Sequence, residues 1–227
     1  MKILLVFPSV FEAAPVFKMF GARAKLGAHL DISPNFRAFV SGVRCAASAA
    51  ALGRAVAEFS PDAVVLAGFG GGCSAALKLG DVVFETADAI LEKILSELGA
   101  VSVKIRCVER TADDAKKRAF FAEGYGAVDM EGALFAEVAA KHSAAFANVR
   151  CISDARKSPV PAEVFDASMD TRTGAIKPLR MFAPKLLAKY PTLPLKFLFF
   201  ALEIAPANRK YAEFMRKFVD SLRALSK

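Results

Sequence analysis

The stretch "AVDMEGALFAEVAAKHSAAFANVRCISDAR" spans residues 127–156 and contains the local pattern that is most informative about the fold. Its apolar spacing predicts three elements, namely a strand at Ala127–Met130, a helix at Gly132–Lys141 and a strand at Phe146–Ile152. Two acids mark the ends of these elements, with Glu131 at the start of the helix and Asp154 just after the second strand. Strand, helix and strand in succession predict a layered α/β fold.

The rest of the chain continues the same alternation. Apolar runs predict further strands at Ile3–Phe7, Phe36–Val40, Ala63–Ala67, Asp81–Glu85 and Val103–Val108, and helices at Phe11–Phe20, Ala46–Phe59 and Ala87–Leu98. We therefore expect one α/β domain over residues 1–227. Its core should cover about 1–156, and a break rich in Pro, Asp and Thr precedes a helical extension over 177–227.

The charge of the chain is concentrated in that extension. The 227 residues are 55% hydrophobic, which excludes a disordered chain, and carry a formal charge of +8. Residues 177–227 hold 11 basic and 3 acidic residues, so they account for the whole excess. A basic segment beside apolar runs fits an anionic lipid surface at least as well as nucleic acid, for which no motif is present. A plain solubilising surface explains the charge equally well.

The cysteines and histidines indicate neither a disulfide framework nor a metal site. The four cysteines are dispersed without a CxxC pair, and the two histidines have no metal-ligand spacing. We therefore expect reduced cysteines, no metal and a cytoplasmic location. No signal peptide is expected, and no run reaches the roughly 18 apolar residues of a spanning helix.

A glycine cluster, Gly68–Gly72, follows the strand at Ala63–Ala67. It fits neither GxGxxG nor a P-loop, because no GK[ST] follows. One interpretation is a tight turn. The other is a place where backbone amides approach a ligand closely, since glycine has no side chain to prevent it.

Three acids each follow a predicted strand. Glu12 comes after the first strand, Glu131 after the strand at Ala127–Met130, and Asp154 after the last. Singly, each is explained as a helix-start or turn residue on the surface. Together they predict a site, because we expect the three strands to end at one edge of a parallel sheet.

Four segments in this order carry a family resemblance. They are Glu12 after the first strand, "AGFGGGCSAALKLGDVV" (Ala67–Val83), "VDMEGA" (Val128–Ala133) and "VRCISDA" (Val149–Ala155). The set resembles the purine nucleoside phosphorylase and nucleosidase superfamily. "SDARKSPVP" and the sequence from Thr173 onward resemble its hopanoid-associated phosphorylase branch, which is implicated in removing adenine from adenosylhopane. The resemblance implies a three-layer α/β/α sandwich around a mixed sheet, and a homo-oligomer.

The resemblance also implies roles for particular residues. Met130 would pack on the ribose, and Glu131 would accept hydrogen bonds from its hydroxyls. Asp154 would protonate a purine nitrogen, with Ser153 helping to orient it. The backbone at Gly68 and Gly70 would border the substrate. This chemistry suits carboxyl groups on general grounds, because glycosidic cleavage creates an oxocarbenium-like sugar and a base that needs a proton.

The sequence favours water over phosphate as the nucleophile. Phosphorylases of this superfamily usually carry arginines after the first strand and before the glycine loop, and both are missing here, with Leu66 at the second position. Nucleosidases carry a Glu after the first strand to activate water, and Glu12 fits that position. Arg44 is the alternative phosphate contact, so phosphate stays open as a co-substrate and no other cofactor is expected.

The expected substrate is an adenine nucleoside, either lipid-linked or small. The small alternatives are methylthioadenosine, S-adenosylhomocysteine and futalosine, and the non-enzymatic alternative is a membrane-associated nucleoside-binding module. For a lipid-linked substrate the extension would make peripheral contact with the inner face of the membrane. The residues expected to do so are Phe197, Phe199 and Phe200 for the lipid body, and Lys185, Lys189 and Lys196 for anionic headgroups.

Overall fold

The computed structural model describes residues 1–154, 169–170, 175–176, 184–189 and 191–226. The strands are β1 (Ile3–Phe7), β2 (His29–Ser33), β3 (Phe36–Val40), β4 (Ala63–Gly72), β5 (Val82–Thr86), β6 (Val101–Ser102), β7 (Lys104–Cys107), β8 (Tyr125–Asp129), β9 (Ala145–Asp154), β10 (Met169–Asp170) and β11 (Ala175–Ile176). The helices are α1 (Val10–Met19), α2 (Ala46–Phe59), α3 (Ala89–Glu97), α4 (Asp114–Ala122), α5 (Gly132–Lys141), α6 (Pro184–Lys189) and α7 (Leu193–Leu225).

The described strands β1 to β9 form one mixed sheet. Its order is β2-β3-β1-β4-β9-β5-β6, and β8 pairs with the end of β4 and with β7. The central strands β3, β1, β4 and β9 are parallel to one another. Strands β2, β5 and β8 run antiparallel to β3, β9 and β4, respectively. The central strands are therefore covered on both faces, as their continuous apolar sequences predict.

Helices pack on the two faces of this sheet. Alternate residues of β1 face opposite sides, so Leu5 belongs to a core with α1, α3 and α7, and Val6 belongs to a core with α2 and α5. Side chains of a strand alternate between its faces, which produces this division. The three-layer α/β/α sandwich expected from the sequence is confirmed.

The predicted bounds of β1, β3, α2 and α5 agree with the structure, whereas two other interpretations were wrong. The glycines at 68–72 are not a turn, because β4 continues through them and pairs with β9 and then β8. The acids do not all follow parallel strands, because β8, which precedes Glu131, is antiparallel to β4. Strand β2 and helix α4 were not predicted, because they are short and largely polar.

The last helix, α7, joins the core through its second half. Its apolar residues at helical spacing are buried, and these are Tyr211, Phe214, Met215, Phe218, Val219 and Leu222. Among the described residues, no helix combines the length and the apolar character needed to cross a bilayer. Phe199 is 59% exposed. The other side chains expected to meet lipid lie outside the described residues, namely Phe197, Phe200, Lys185, Lys189 and Lys196.

Candidate active site

Glu12 lies in the first turn of α1 and is held at both carboxylate oxygens. The hydroxyl of Ser9 accepts a hydrogen bond from Glu12 N at 3.2 Å and donates one to Oε2 at 2.6 Å. The amide of Phe69 on β4 donates to Oε1 at 2.8 Å. Burial raises the pKa of Glu12, and the nearby charge of Arg150 opposes the rise. A fixed carboxyl group of raised basicity is suited to act as a general base near neutral pH.

Arg150, on β9, is the fully buried cation of the site. Its Nη2 lies 2.6 Å from Asp129 Oδ2 and 3.4 Å from Glu131 Oε2. Its Nη1 is buried and has no hydrogen-bond partner among the described residues. An unmade buried hydrogen bond is costly, so a water or ligand oxygen beside Nη1 would be stabilised. Burial opposes the charge of Arg150, but the carboxylates of Asp129, Glu131 and Glu12 outweigh it and raise the pKa of the guanidinium.

Asp129, the last residue of β8, holds this arginine in place. Its Oδ2 accepts hydrogen bonds from Arg150 Nε at 3.1 Å, Asn148 Nδ2 at 2.9 Å and Gly132 N at 2.8 Å. These donors come from β9 and from the start of α5, so one carboxylate joins two elements. Several donors on this one oxygen fix the position of Arg150, whereas Oδ1 of Asp129 is buried and has no hydrogen-bond partner among the described residues.

Glu131 precedes α5 and does not use its side chain to cap that helix. Its Oε1 accepts a hydrogen bond from Arg44 N at 3.3 Å. Burial raises the pKa of Glu131 to about 7, with Asp129 and Glu12 adding to the rise and Arg150 opposing it. The carboxyl group therefore changes charge in the neutral range and lies beside Arg150 and Arg44.

The glycines of β4 leave space for these side chains. A Cβ on Gly68 would lie 2.3 Å from Glu12 Oε1 and 2.6 Å from Arg150 Nη1. A Cβ on Gly70 would lie 2.8 Å from Val128 O. The close packing explains both glycines without a substrate, and their expected place beside a ligand stays a prediction.

Asp154, the last residue of β9, is paired with a second buried cation. Lys117 of α4 is 1% exposed, and its Nζ forms an ion pair with Asp154 Oδ2. The hydroxyl of Ser153 lies 3.0 Å from Asp154 Oδ1 and 3.3 Å from Gly70 O. Ser153 therefore contacts the carboxylate that it was expected to orient.

The remaining residues singled out in the sequence have different environments. The Arg44 guanidinium lies 3.5 Å from both Val108 O and Glu109 Oε1 and is about a third exposed, so it faces the edge of the site. Met130 is half-buried between Asp129 and Glu131. Leu66 is buried in the core shared with α2 and α5.

Helix α7 contributes to the site through Tyr211. Its hydroxyl donates to the main-chain oxygen of Glu12 at 3.2 Å, and its ring lies 4.8 Å from that of Phe69. Burial raises the pKa of Tyr211 well above 10, so the hydroxyl remains a donor. The C-terminal helix thus supports the two segments that hold the Glu12 carboxylate.

Three charged residues of the site were missed in the sequence. Arg150 and Asp129 lie within the quoted segments, and a charge inside an apolar strand was the available signal. Lys117 gave no such signal in the sequence, because it lies in a polar helix among surface residues. In the described ranges, no three His, Cys, Asp or Glu residues are grouped as metal ligands, and the four cysteines are free.

Residues 84–183 match the family model described as Phosphorylase superfamily. This match covers slightly less than half of the chain and contains Glu131 and Asp154 but not Glu12. It supports the expected superfamily and does not test the hopanoid branch. None of the curated proteins matches the sequence.

Solved structures share the fold over nearly the whole chain. Futalosine hydrolase of Helicobacter pylori is 15% identical, with 97% of this chain and 98% of that chain covered and a TM-score of 0.66. The 5'-methylthioadenosine/S-adenosyl homocysteine nucleosidase of the same organism is 17% identical, with 97% and 98% covered and a TM-score of 0.64. The 5'-methylthioadenosine nucleosidase of Arabidopsis thaliana is 14% identical, with 96% and 94% covered and a TM-score of 0.63. At these identities the likeness shows the fold.

Proposed function

We propose that this protein hydrolyses the N-glycosidic bond of an adenine nucleoside and releases adenine. The observation that carries the proposal is the buried group formed by Glu12, Glu131 and Arg150, with Nη1 of Arg150 unpartnered and Asp154 further along β9. Nucleoside hydrolysis needs a base for water, carboxylates near the sugar and an acid for the leaving base.

The register of β4 and β9 separates these roles along the sheet. Gly68 pairs with Arg150, and Gly71 pairs with Asp154. Three residues of strand correspond to about 10 Å, which is comparable with the length of a purine nucleoside. The sugar therefore lies beside Glu131, and the base extends toward Asp154.

In the proposed reaction, Glu12 and Arg150 Nη1 hold a water molecule. The bond between the sugar C1' and the purine nitrogen breaks, and a bond between C1' and the water oxygen forms. Glu12 accepts a water proton, and a purine ring nitrogen receives a proton at Asp154. Glu131 accepts hydrogen bonds from ribose hydroxyls and stabilises positive charge on the sugar.

The charges at Arg150 favour water over phosphate. One guanidinium faces three carboxyl groups, from Glu12, Asp129 and Glu131. A phosphate dianion at this place would meet carboxylates that already neutralise the arginine, and repulsion between like charges in a buried site is strong. Arg44, at the edge of the site, is the group that a phosphorylase would have to recruit.

The C-terminal extension over 177–227 supports a lipid-linked adenine nucleoside, such as adenosylhopane, as substrate. The first half of α7 exposes an apolar stripe with the spacing of one helix face, formed by Leu195, Leu198, Phe199 and Leu202, each more than half exposed. The stripe lies in the segment that carries the whole excess of positive charge. Exposed apolar residues together with basic charge favour an anionic membrane surface, where each Lys or Arg contributes about 1 kcal/mol.

The protein would then act in the cytoplasm, attached peripherally to the inner face of the membrane, and the resemblance implies a homo-oligomer. Co-sedimentation with vesicles containing anionic lipid, at low and high salt, tests the attachment. Leu198→Ser together with Leu202→Ser should weaken binding, and Phe121→Ser, an exposed apolar residue on α4, serves as the control. Absence of binding at low salt would contradict the membrane contact but not the nucleosidase proposal.

One assay tests the reaction itself. The protein is incubated with adenosine, methylthioadenosine, S-adenosylhomocysteine, futalosine and a lipid-linked adenosine, with and without phosphate, and the products are separated. We expect the free base and free sugar without phosphate. Strict phosphate dependence with sugar 1-phosphate as product would overturn hydrolysis and favour a phosphorylase, for which Arg44→Gln should lower turnover. Binding without release of a base would support the non-enzymatic alternative.

A further inference from the structure

Lys117 is a lysine in an environment where lysines are rarely found. It lies in the middle of α4, a helix with otherwise exposed or partly exposed residues, yet its own side chain is 1% exposed. The neighbouring Lys116 is exposed and shows the usual environment. A buried ammonium is stable only when it is paired with an anion and hydrogen-bonded.

The anion paired with Lys117 is the carboxylate of Asp154. Nζ contacts Asp154 Oδ2 and also donates to the main-chain oxygen of Asp154 at 3.3 Å. A Cβ on Gly71 would lie 3.1 Å from Nζ, so the lysine packs directly against β4. Ser153 occupies the other carboxylate oxygen. The pair thus places an ammonium group directly against the carboxylate to which we assign protonation of the base.

We propose that Lys117 supplies, through Asp154, the proton that the departing base receives. This inference rests on the proposed nucleosidase function. An N–H bond of the ammonium breaks and an O–H bond forms at Oδ2. After rotation about the C–O bond, that proton passes to the purine nitrogen. Lys117 is left as a neutral amine and Asp154 as a carboxylate, and solvent returns the proton after the base departs.

In this proposal Lys117 delivers the proton directly, whereas a carboxylate that lacks such a donor depends on the proton concentration of the solvent. We therefore expect the loss caused by removing the lysine to grow as the pH rises. Cys73, which follows β4, is a second titratable group within electrostatic reach of Lys117 and Asp154. Burial raises the pKa of its thiol to about 11, so Cys73 stays neutral through the relevant range.

The first experiment compares Lys117→Met with Lys116→Met, the same replacement at the neighbouring exposed position. On the nucleoside that the wild type cleaves fastest, kcat of Lys117→Met should lie within about tenfold of the wild type at pH 5 and fall by about 100-fold or more at pH 8.5, the scale of lost general-acid catalysis. Its KM should change by less than about threefold, because Lys117 does not touch the substrate. The ratio to Lys116→Met cancels the titration of Glu12 and Glu131.

The second experiment is a double-mutant cycle with Asp154→Asn. The variant Lys117→Met/Asp154→Asn removes both buried charges and avoids leaving one unpaired. If Lys117 acts through Asp154, adding Lys117→Met to Asp154→Asn should change kcat by less than about threefold, because residues that act as a unit are not additive. Melting temperatures of the four proteins establish that each is folded.

The outcomes separate the two proposals. If the wild type releases no base from any nucleoside tested, the proposed function fails and this inference fails with it. If the wild type is active, two results would overturn the inference alone. They are a loss in Lys117→Met that is equal at pH 5 and pH 8.5, and losses that multiply in the double variant. The alkaline-specific loss together with non-additivity supports it.

Discussion

Replacement of Gly68 by alanine tests the geometry of the site with a single methyl group. The added Cβ would lie 2.3 Å from Glu12 Oε1 and 2.6 Å from Arg150 Nη1, where ordinary contacts are at 3.4–4 Å. Both side chains must therefore withdraw, each by about 1 Å. Neither is free to do so, because Glu12 is held by Ser9 and Phe69 and Arg150 is held by Asp129.

The magnitude follows from this displacement. A misplacement of about 1 Å in a catalytic group costs about 100-fold in rate, so kcat of Gly68→Ala should fall by that factor. Overpacking should also lower the free energy of unfolding by about 1–3 kcal/mol. Release of adenine is followed by chromatography, and stability is followed by thermal unfolding with circular dichroism.

Gly53→Ala provides the matched control. Gly53 lies in α2, and a Cβ there would meet no atom within 4 Å. Alanine is favoured over glycine in a helix by about 0.5–1 kcal/mol, so this variant should be slightly stabilised and fully active. Adenine release by Gly68→Ala within threefold of the wild type would refute the placement of Glu12 and Arg150 in the mechanism.

Three further predictions concern the acids and the last helix. Asp154→Asn should lower turnover by about 100-fold or more, the scale of a lost general acid, and turnover within threefold of the wild type would remove Asp154 from the mechanism. Because the pKa of Glu131 is raised from 4.5 to about 7 in the folded state, its stabilising effect is present below pH 4.5 and is lost as the pH rises through 7. The free energy of unfolding of the wild type, measured by denaturant titration, should therefore fall over this pH range by up to about 3 kcal/mol more than that of Glu131→Gln. The same pH dependence in both proteins would contradict this prediction. Tyr211→Phe removes the hydrogen bond to Glu12 O and should lower stability by about 1 kcal/mol, whereas Tyr125→Phe, at a solvent-exposed hydrogen bond, should have a smaller effect in the same thermal assay.

The sequence by itself determined the central strands and several helices. The buried strand that contains Val64 and Leu66 has apolar residues on both of its faces. Helices α2 and α5 show the helical period over their whole length. Such patterns are local, since they depend on residues two to four positions apart, and the sequence contains them in full. For the same reason the helical character of the extension, in which α7 lies, was predicted correctly.

The tertiary structure decided how the charged groups meet. Arg150 is brought to Glu12 by pairing of β4 with both β1 and β9, and to Asp129 and Glu131 by pairing of the end of β4 with β8. No local pattern specifies those neighbours. Lys117 looks like a surface lysine, because burial of an ammonium depends on a carboxylate 37 residues away in the chain. Electrostatic partners depend on distance in space, whereas hydrophobic periodicity depends on distance along the chain. The sequence therefore shows the periodicity of the helices and strands but not the partners of the charged groups.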